Sequence, residues 1–231
     1  MGQLELAGGP LAWLWLFIIT SVAAAPRLIQ GLWRRGSGRR EPSFIVQRAP
    51  QLATGIVFSL IMVSFEAIES ALGTGEPSFG KQFFERHQAF LPIITLATVI
   101  PKSVGATISW FGVVWTSVGS VLLVSGLYTL RESFSTDAEI LPGQALHRDG
   151  PYRFVLHPIY AGWVHLLLGS AITALAPVSA ALVVLLVAPL FLIRAKHEED
   201  LLLKEFGATF EEFAASRHGR RLIPLLRPAA Q

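Results

Sequence analysis

The sequence predicts an all-α integral membrane protein of about five transmembrane helices, ending in a C-terminal helical hairpin and a polar tail that returns to the cytoplasmic face. Three observations carry this. The 231 residues are 52% hydrophobic and only 15% charged, with mean hydropathy +0.52, whereas a soluble domain has about 25% charged residues. Apolar runs of spanning length recur along the chain, separated by short polar loops. The arginines gather in one of those loops, so the formal net charge of +3 reports orientation before it reports nucleic acid. Cysteine is absent, which excludes disulfides, thiolate metal sites and a cysteine nucleophile.

The first span is expected from about Pro10 to Ile29. Its run from Leu11 to Ala25 ends in VAAAP, which is faintly like a signal-peptidase site. No Lys or Arg precedes it, Glu5 is the one early charge, and Pro26 would follow the cut. An uncleaved span is therefore expected. The loop GLWRRGSGRREPSF follows, with Arg34, Arg35, Arg39 and Arg40 inside it and Arg27 and Arg48 beside it; the positive-inside rule places it in the cytoplasm. A second span runs from about Gln51 to Leu72. Residues 73–88 are polar and glycine-rich and read as a loop. The run Ala89–Ile100 contains Pro92 and as a helix would cover about 18 Å of roughly 30 Å of hydrocarbon, so it reads as interfacial or re-entrant.

Val104 to Leu130 is a clear span, with Gly105, Gly112, Gly119 and Gly126 at heptad spacing. That spacing aligns small residues on one face, where another helix can approach closely. Residues 131–158 form a polar connection. The shorter stretches Ile159–Ala174 and Val178–Ala195 meet near Pro177 and suit a helical hairpin whose two ends lie at one membrane face. If 89–100 does not cross, parity puts the arginine loop, the 131–158 connection and the tail on the same side. In the tail, Arg194–Phe206 reads as helix, with Asp200 and Lys204 in a favourable i, i+4 order and Gly207 as its stop. Thr209 and Glu212 suggest a capping box for a second helix ending near Gly219, with Pro224 closing the ordered part. The chain divides into an N-terminal membrane region, 1–103, and a core, 104–231.

Two polar clusters flank the hairpin. The first lies in GPYRFVLHPIYAG, residues 150–162, and comprises Tyr152, Arg153, His157, Pro158 and Tyr160. The second comprises Arg194, His197, Glu198, Glu199 and Asp200. A cationic and aromatic cluster facing an acidic one suits a zwitterionic ligand. Arg or His takes a carboxylate, Glu takes an ammonium or ribose hydroxyls, and Pro151 and Pro158 stiffen the backbone. Outside these clusters, Glu66 and Glu69 lie near the end of the second span, where they reach the interface or serve a function. His165 reads as a packed or hydrogen-bonded histidine on an apolar helix. His87 with Glu85 is too little for a metal site. No H-E-x-x-H, G-x-S-x-G, P-loop or Rossmann glycine pattern is present.

GPYRFVLHPIYAG resembles the GPYR-x-x-RHP-x-Y-x-G signature of the isoprenylcysteine carboxyl methyltransferases and related phospholipid methyltransferases. RAKHEEDLLLKEFGATFEEFAASRHGRRLIP resembles their downstream stretch, and LRESFS, residues 130–135, their lead-in. The likeness covers about residues 120–225. It implies an integral membrane enzyme that uses S-adenosylmethionine, releases S-adenosylhomocysteine, and has a cytoplasm-facing cofactor pocket and a lipid-side tunnel for a greasy acceptor. By the resemblance, His157 and Tyr160 contact the cofactor, Pro158 shapes the pocket, and Glu198 and Glu199, with His197 beside them, hold its polar groups. Tyr152 and Arg153 line the site or orient substrate. The pattern departs at Leu156, where the family has an arginine before His-Pro; Arg148, Arg153 or Arg194 could supply that charge.

A carboxylate acceptor needs no general base, whereas an amine must lose a proton, which Glu198 or His157 could take. The expected substrate is a prenylated or other lipophilic molecule in the membrane lipid, with no metal, nucleic acid or obligate protein partner. Three alternatives stay open: a phospholipid or small-amine N-methyltransferase, an NADPH-dependent reductase resembling sterol reductases, and a non-catalytic transporter or assembly factor. A prokaryotic inner membrane is expected over the endoplasmic reticulum, since the chain is compact and shows no retention signal.

Overall fold

The computed structural model describes residues 2–40, 43–72, 79–87, 89, 91–215 and 222. In chain order the helices are α1 (Gly2–Arg34), a short α2 (Phe44–Gln47), α3 (Ala49–Leu72), α4 (Phe79–Arg86), a short α5 (Leu91–Ile94), α6 (Lys102–Leu130), α7 (Pro158–Thr173), α8 (Pro177–Leu182), α9 (Ala188–Phe206) and α10 (Ala208–Ala215). The all-α expectation has one small exception, a two-residue antiparallel ribbon of β1 (Arg39–Arg40) and β2 (Glu139–Ile140), with Arg39 opposite Ile140 and Arg40 opposite Glu139. A π-helical turn at Val183–Val187 joins α8 to α9. It lies just ahead of Pro189, whose ring and missing N–H disturb the regular ladder.

Among the described residues, four helices are long and apolar enough to cross a membrane: Gly8–Arg34, Ala49–Ser70, Lys102–Ser133 and Pro177–Phe206. Their outer faces carry exposed Trp15, Val22, Val121 and Leu185, which lipid tolerates and water does not. The protein is a multi-pass integral membrane protein. The fifth expected span is α7, whose 16 residues reach about 24 Å, less than a full crossing.

Helix α7 is the centre of the fold. It is buried against α6 along most of its length, and glycines from both helices make this possible. A Cβ on Gly112 would stand 2.4 Å from the Thr173 backbone nitrogen, and one on Gly119 would stand 2.3 Å from that of Leu166. From the other side, a Cβ on Gly162 would meet the Leu123 nitrogen at 2.6 Å and one on Gly169 the Thr116 nitrogen at 2.4 Å. The heptad glycines of α6 thus interlock with a second pair in α7. Helix α1 lies along α6 and is tied to α7, where Trp13 Nε1 donates to Ser170 Oγ at 2.8 Å. Helix α3 approaches α1 through aromatic pairs, Phe17 stacked on Phe58 and Trp13 tilted against Phe65, with centroids 5.1 and 4.5 Å apart.

The 89–100 segment does not cross. It breaks into α5 and a 3-10 turn at Leu96–Thr98, and it covers the tip of the hairpin. Thr95 Oγ1 donates to the Ala174 carbonyl at 3.1 Å, and the Leu96 amide donates to the Leu175 carbonyl at 2.8 Å. Leu175 holds φ of +50° in that turn, and Pro177 opens α8 at its first turn. At the opposite end, the arginine loop packs on the 131–140 connection. Glu139, buried, accepts from the Gly36 and Gly38 amides at 3.0 and 2.8 Å, and Arg34 pairs with Glu132. Gly207 (φ +54°) ends α9 as expected. The capping box is corrected: α10 begins at Ala208, so Thr209 lies within its first turn instead of preceding it. The expected helix end near Gly219 and the closing Pro224 lie outside the described residues.

Gly119→Ala should cost on the order of 1–3 kcal/mol by overpacking and lower the thermal midpoint in detergent. Gly55→Ala, where a Cβ would meet nothing within 4 Å, should leave the midpoint unchanged or raise it slightly.

Candidate active site

The hairpin brings the two sequence clusters together. His157 precedes the first turn of α7 and Tyr160 lies within it, while Arg194, Glu198 and Glu199 fall on successive turns of α9. His157 Nε2 lies 3.0 Å from Glu199 Oε1, and its Nδ1 lies 3.6 Å from Glu198 Oε2. The Tyr160 hydroxyl donates to Glu198 Oε2 at 2.7 Å and accepts from Arg194 Nε at 2.9 Å. Its ring stacks on His157 with centroids 5.4 Å apart and planes 10° apart. One hydroxyl therefore links a buried guanidinium to a carboxylate, fixing both.

Arg194 is 3% exposed, and its remaining bonds run to backbone. Nη1 donates to the Val46 and Gln47 carbonyls at 3.1 and 3.4 Å, and Nη2 donates to the Thr136 carbonyl at 2.7 Å. A buried cation requires such partners, because removing it from water without them costs several kcal/mol.

This network forms one wall of a cavity of about 540 Å³. At its polar end lie Tyr152, His157, Tyr160, Arg194 and Glu198, together with Ser133, Thr136, Asp137, Glu139 and His147 from the 131–158 connection. Phe210 and Phe213 of α10 close over that end, with Arg148 stacked on the Phe213 ring at 5.5 Å. The other end is apolar, lined by Phe17, Ala24, Leu28, Phe58, Trp163 and Leu167 of α1, α3 and α7. The cavity thus runs from charged loops into the membrane-spanning helices. A cation, carboxylates and flat rings at one end, with hydrocarbon at the other, can hold a polar zwitterion against the head of a greasy molecule.

Residues 112–204 match the isoprenylcysteine carboxyl methyltransferase family. Two curated relatives come from Arabidopsis thaliana. Protein-S-isoprenylcysteine O-methyltransferase A is 24% identical over 182 residues, spanning 74% of this chain and 91% of the relative. Protein-S-isoprenylcysteine O-methyltransferase B is 24% identical over 151 residues, spanning 62% and 77%. A solved structure of the eukaryotic intramembrane Ras methyltransferase aligns with TM-score 0.47 at 17% identity, covering 91% of this chain and 77% of that one.

The family motif residues do not all reach the cavity. Tyr152, His157, Tyr160, Arg194 and Glu198 line it, and Glu199 holds His157 from behind. Pro158 is buried at the first position of α7, where its missing N–H is no loss. His197 is half-buried in α9 and is not part of the wall. Arg153 corrects an expectation: it is exposed and does not line the cavity. The 3-10 turn at Gly150–Arg153 buries Tyr152, and successive residues of such a turn point about 120° apart. Leu156, in place of the family arginine, is buried and lines the cavity. Glu66 and His165 lie outside the cavity wall. His165 is a hydrogen-bonded histidine, accepting from Trp115 Nε1 at 3.1 Å and facing the Leu222 carbonyl at 3.0 Å.

The sequence reading missed the contribution of the 131–158 connection. Asp137 is buried and paired with Arg48 at 2.8 Å, and His147 Nε2 lies 3.0 Å from Ser133 Oγ. The available signal was two acidic residues, Asp137 and Glu139, in a short loop that parity places beside the arginine cluster. Burial pushes the Tyr152 phenol well above its usual range, and the Glu198 carboxylate and Tyr160 push it further, so it stays a neutral donor. Burial holds the His147 imidazole below its usual value; Asp149 opposes this and Arg131 adds to it.

The unfolded chain therefore binds a proton at His147 that the folded protein resists. Stability from this site is present above the ordinary value of 6.5 and is lost as pH falls through the window below it. The thermal midpoint of wild type should drop more between pH 7 and pH 5 than that of His147→Gln, measured in one detergent at both pH values.

Proposed function

We propose that the protein uses S-adenosylmethionine to methylate the carboxylate of a lipophilic, prenylcysteine-like acceptor at the cytoplasmic face of its membrane. The carrying observation is one cavity with two characters, polar where the family motif converges and apolar between α1, α3 and α7. The relatives' names describe isoprenylcysteine O-methylation, and the apolar arm suits such a chain. The arginine loop, tied to the site side by Arg34–Glu132 and Arg48–Asp137, supports the cytoplasmic placement. In this reading the core, 104–231, supplies the cofactor end, and the N-terminal region, 1–103, walls the acceptor arm.

The donor groups present fit the cofactor. Glu198 and the Glu199-held His157 suit its ammonium and hydroxyls, Arg194 offsets its carboxylate, and Tyr152, Phe210 and Phe213 offer faces for a purine. The bound cofactor supplies a methyl group already activated on a sulfonium. The protein's own work is placement. Tyr160, locked between Arg194 and Glu198, cannot rotate without breaking two bonds, so the wall is pre-organised. The α10 aromatics exclude water, and the apolar arm delivers the acceptor head first. A carboxylate nucleophile takes the methyl with no proton to remove. One observation favours a second acceptor class: Leu156 leaves an uncharged patch where the family has arginine, which suits a lipid amine with Glu198 as its base.

Calorimetry with S-adenosylhomocysteine on detergent-purified protein tests the cofactor. Wild type should bind, and Glu198→Ala/Glu199→Ala and His157→Ala should each bind about 10- to 100-fold more weakly, as expected for lost charge-assisted hydrogen bonds. A well-folded wild type that does not bind would sink the reading. Methyl transfer to N-acetyl-S-farnesylcysteine but not to phosphatidylethanolamine would select the carboxylate acceptor; the reverse would select the amine.

A further inference from the structure

We propose that an aromatic floor, Phe17 of α1 stacked on Phe58 of α3, ends the apolar arm of the cavity and sets the length of acceptor tail the enzyme takes, admitting a farnesyl chain and penalising one isoprene unit more. This rests on the methyltransferase reading above and adds a specificity determinant to it.

The end of the arm can be located helix by helix. On α1 the lining residues descend from Leu28 through Ala24 to Phe17, and on α3 from Gln51 to Phe58. Phe17 and Phe58 are only half-buried and both line the cavity. One turn further on, the helices close up. Trp13 on α1, Ile61 on α3, Ser120 on α6 and Ala171 on α7 are all buried, and none of the four lines the cavity. The floor itself is braced. The rings of Phe17 and Phe58 stack with centroids 5.1 Å apart and planes 23° apart. Trp13 stacks on Phe17 at 5.2 Å and lies tilted against Phe65 at 4.5 Å. The indole N–H of Trp13 is committed to Ser170 Oγ at 2.8 Å, and that hydroxyl donates in turn to the Leu166 carbonyl at 2.7 Å. The ring layer is thereby tied to the central helix α7, and no ring in it can swing aside without disturbing its neighbours.

The helices also gauge its depth. Gln51 and Arg194 donate to the same Thr136 carbonyl, so Gln51 marks the polar level on α3. From there to Phe58 the helix rises about 10 Å, and from Leu28 to Phe17 along α1 about 16 Å. An extended chain gains about 1.2 Å per backbone bond, so a farnesyl main chain needs roughly 14 Å and a geranylgeranyl one roughly 19 Å. The first falls within the arm and the second does not.

The wall has a gap beside the floor. Ser21 of α1 and Gly55 of α3 line the cavity and are exposed, and a Cβ on Gly55 would meet nothing within 4 Å. A tail that turned out into lipid there would pass the rings by, and its length would not matter. Packing favours the floor. Protein walls are denser than liquid hydrocarbon, so a tail seated among Phe17, Phe58 and Trp163 keeps more contacts than one that leaves for the bilayer, where no gain in hydrophobic burial rewards the exit.

Steady-state methyl transfer to N-acetyl-S-farnesylcysteine and to N-acetyl-S-geranylgeranylcysteine tests this in wild type, Phe17→Ala and Phe58→Ala. Phe17→Leu and Phe58→Leu serve as milder variants should the alanines fail to fold, and S-adenosylhomocysteine binding by calorimetry reports an intact site. Wild type should favour the farnesyl acceptor about tenfold in kcat/KM. Each alanine variant should erase or invert that preference by lowering KM for the longer acceptor, and each leucine variant should move it part of the way. S-adenosylhomocysteine affinity should stay within about twofold of wild type throughout. Equal kcat/KM for the two acceptors in wild type would overturn the floor and leave the methyltransferase reading standing, as would an unchanged farnesyl preference in variants that bind S-adenosylhomocysteine normally. A folded wild type that does not bind S-adenosylhomocysteine would overturn both.

Discussion

The site depends on one buried guanidinium. Arg194 draws its partners from three separate places: the end of α2, the 131–158 connection and the first turn of α7. Helix α2 is only four residues long, so the carbonyls at its end have no helical partners of their own. Arg194 supplies them. The same side chain holds Tyr160 and, through it, Glu198. A charge that would be costly alone at this depth is engaged by four hydrogen bonds, and in return it defines where α9, α7 and the N-terminal region meet. Without it, the carbonyls of Val46, Gln47 and Thr136 and the Tyr160 hydroxyl would each lose a hydrogen bond at once.

The division of the cavity into polar and apolar ends follows from depth in the membrane. Residues that join helices at the arginine-loop side can keep charges, because their backbone and carboxylates pair with one another, as Glu139 does with the Gly36 and Gly38 amides. One or two turns further along α1, α3 and α7 there is no water to share, and the wall becomes Phe17, Phe58 and Trp163. Helices α1 and α3 meet at their aromatic pairs, where Phe17 and Phe58 also line the cavity. The glycine contact of α6 with α7 is what keeps this arrangement stiff, since it fixes α7 at backbone distance from its neighbour.

Much of this was legible in the sequence, for physical reasons that differ by residue. The long spans are visible because lipid demands unbroken apolar helix. The heptad glycines of α6 announced a close helix, although not that α7 would answer with Gly162 and Gly169. The pairing of His157 and Tyr160 with Glu198 and Glu199 could be anticipated, because a hairpin must bring its two ends together. Arg153 could not be placed, because which residue of a 3-10 turn faces inward is decided by what packs on it, here the aromatic Tyr152. The partners of Arg194 were equally hidden. Backbone carbonyls carry no sequence signature, and two of them belong to residues about 150 positions away in the chain. Asp137 is an ordinary residue in ordinary surroundings until the fold buries it.

The short helix α7 has a consequence for the lipid around the protein. At about 24 Å it stops short of the far side of an average bilayer, and its turn at Ala174–Ala176 would leave carbonyls facing hydrocarbon. The α5 segment prevents that: Thr95 and Leu96 take up those carbonyls, and Leu91 packs with Phe84 beneath. The protein therefore carries its own polar floor inside the membrane. Lipid need not thin to reach the hairpin tip, and hydrophobic mismatch at α7 is absorbed by protein in place of bilayer deformation. The central helix is insulated from bilayer thickness, and so is the spacing of the residues mounted at its other end.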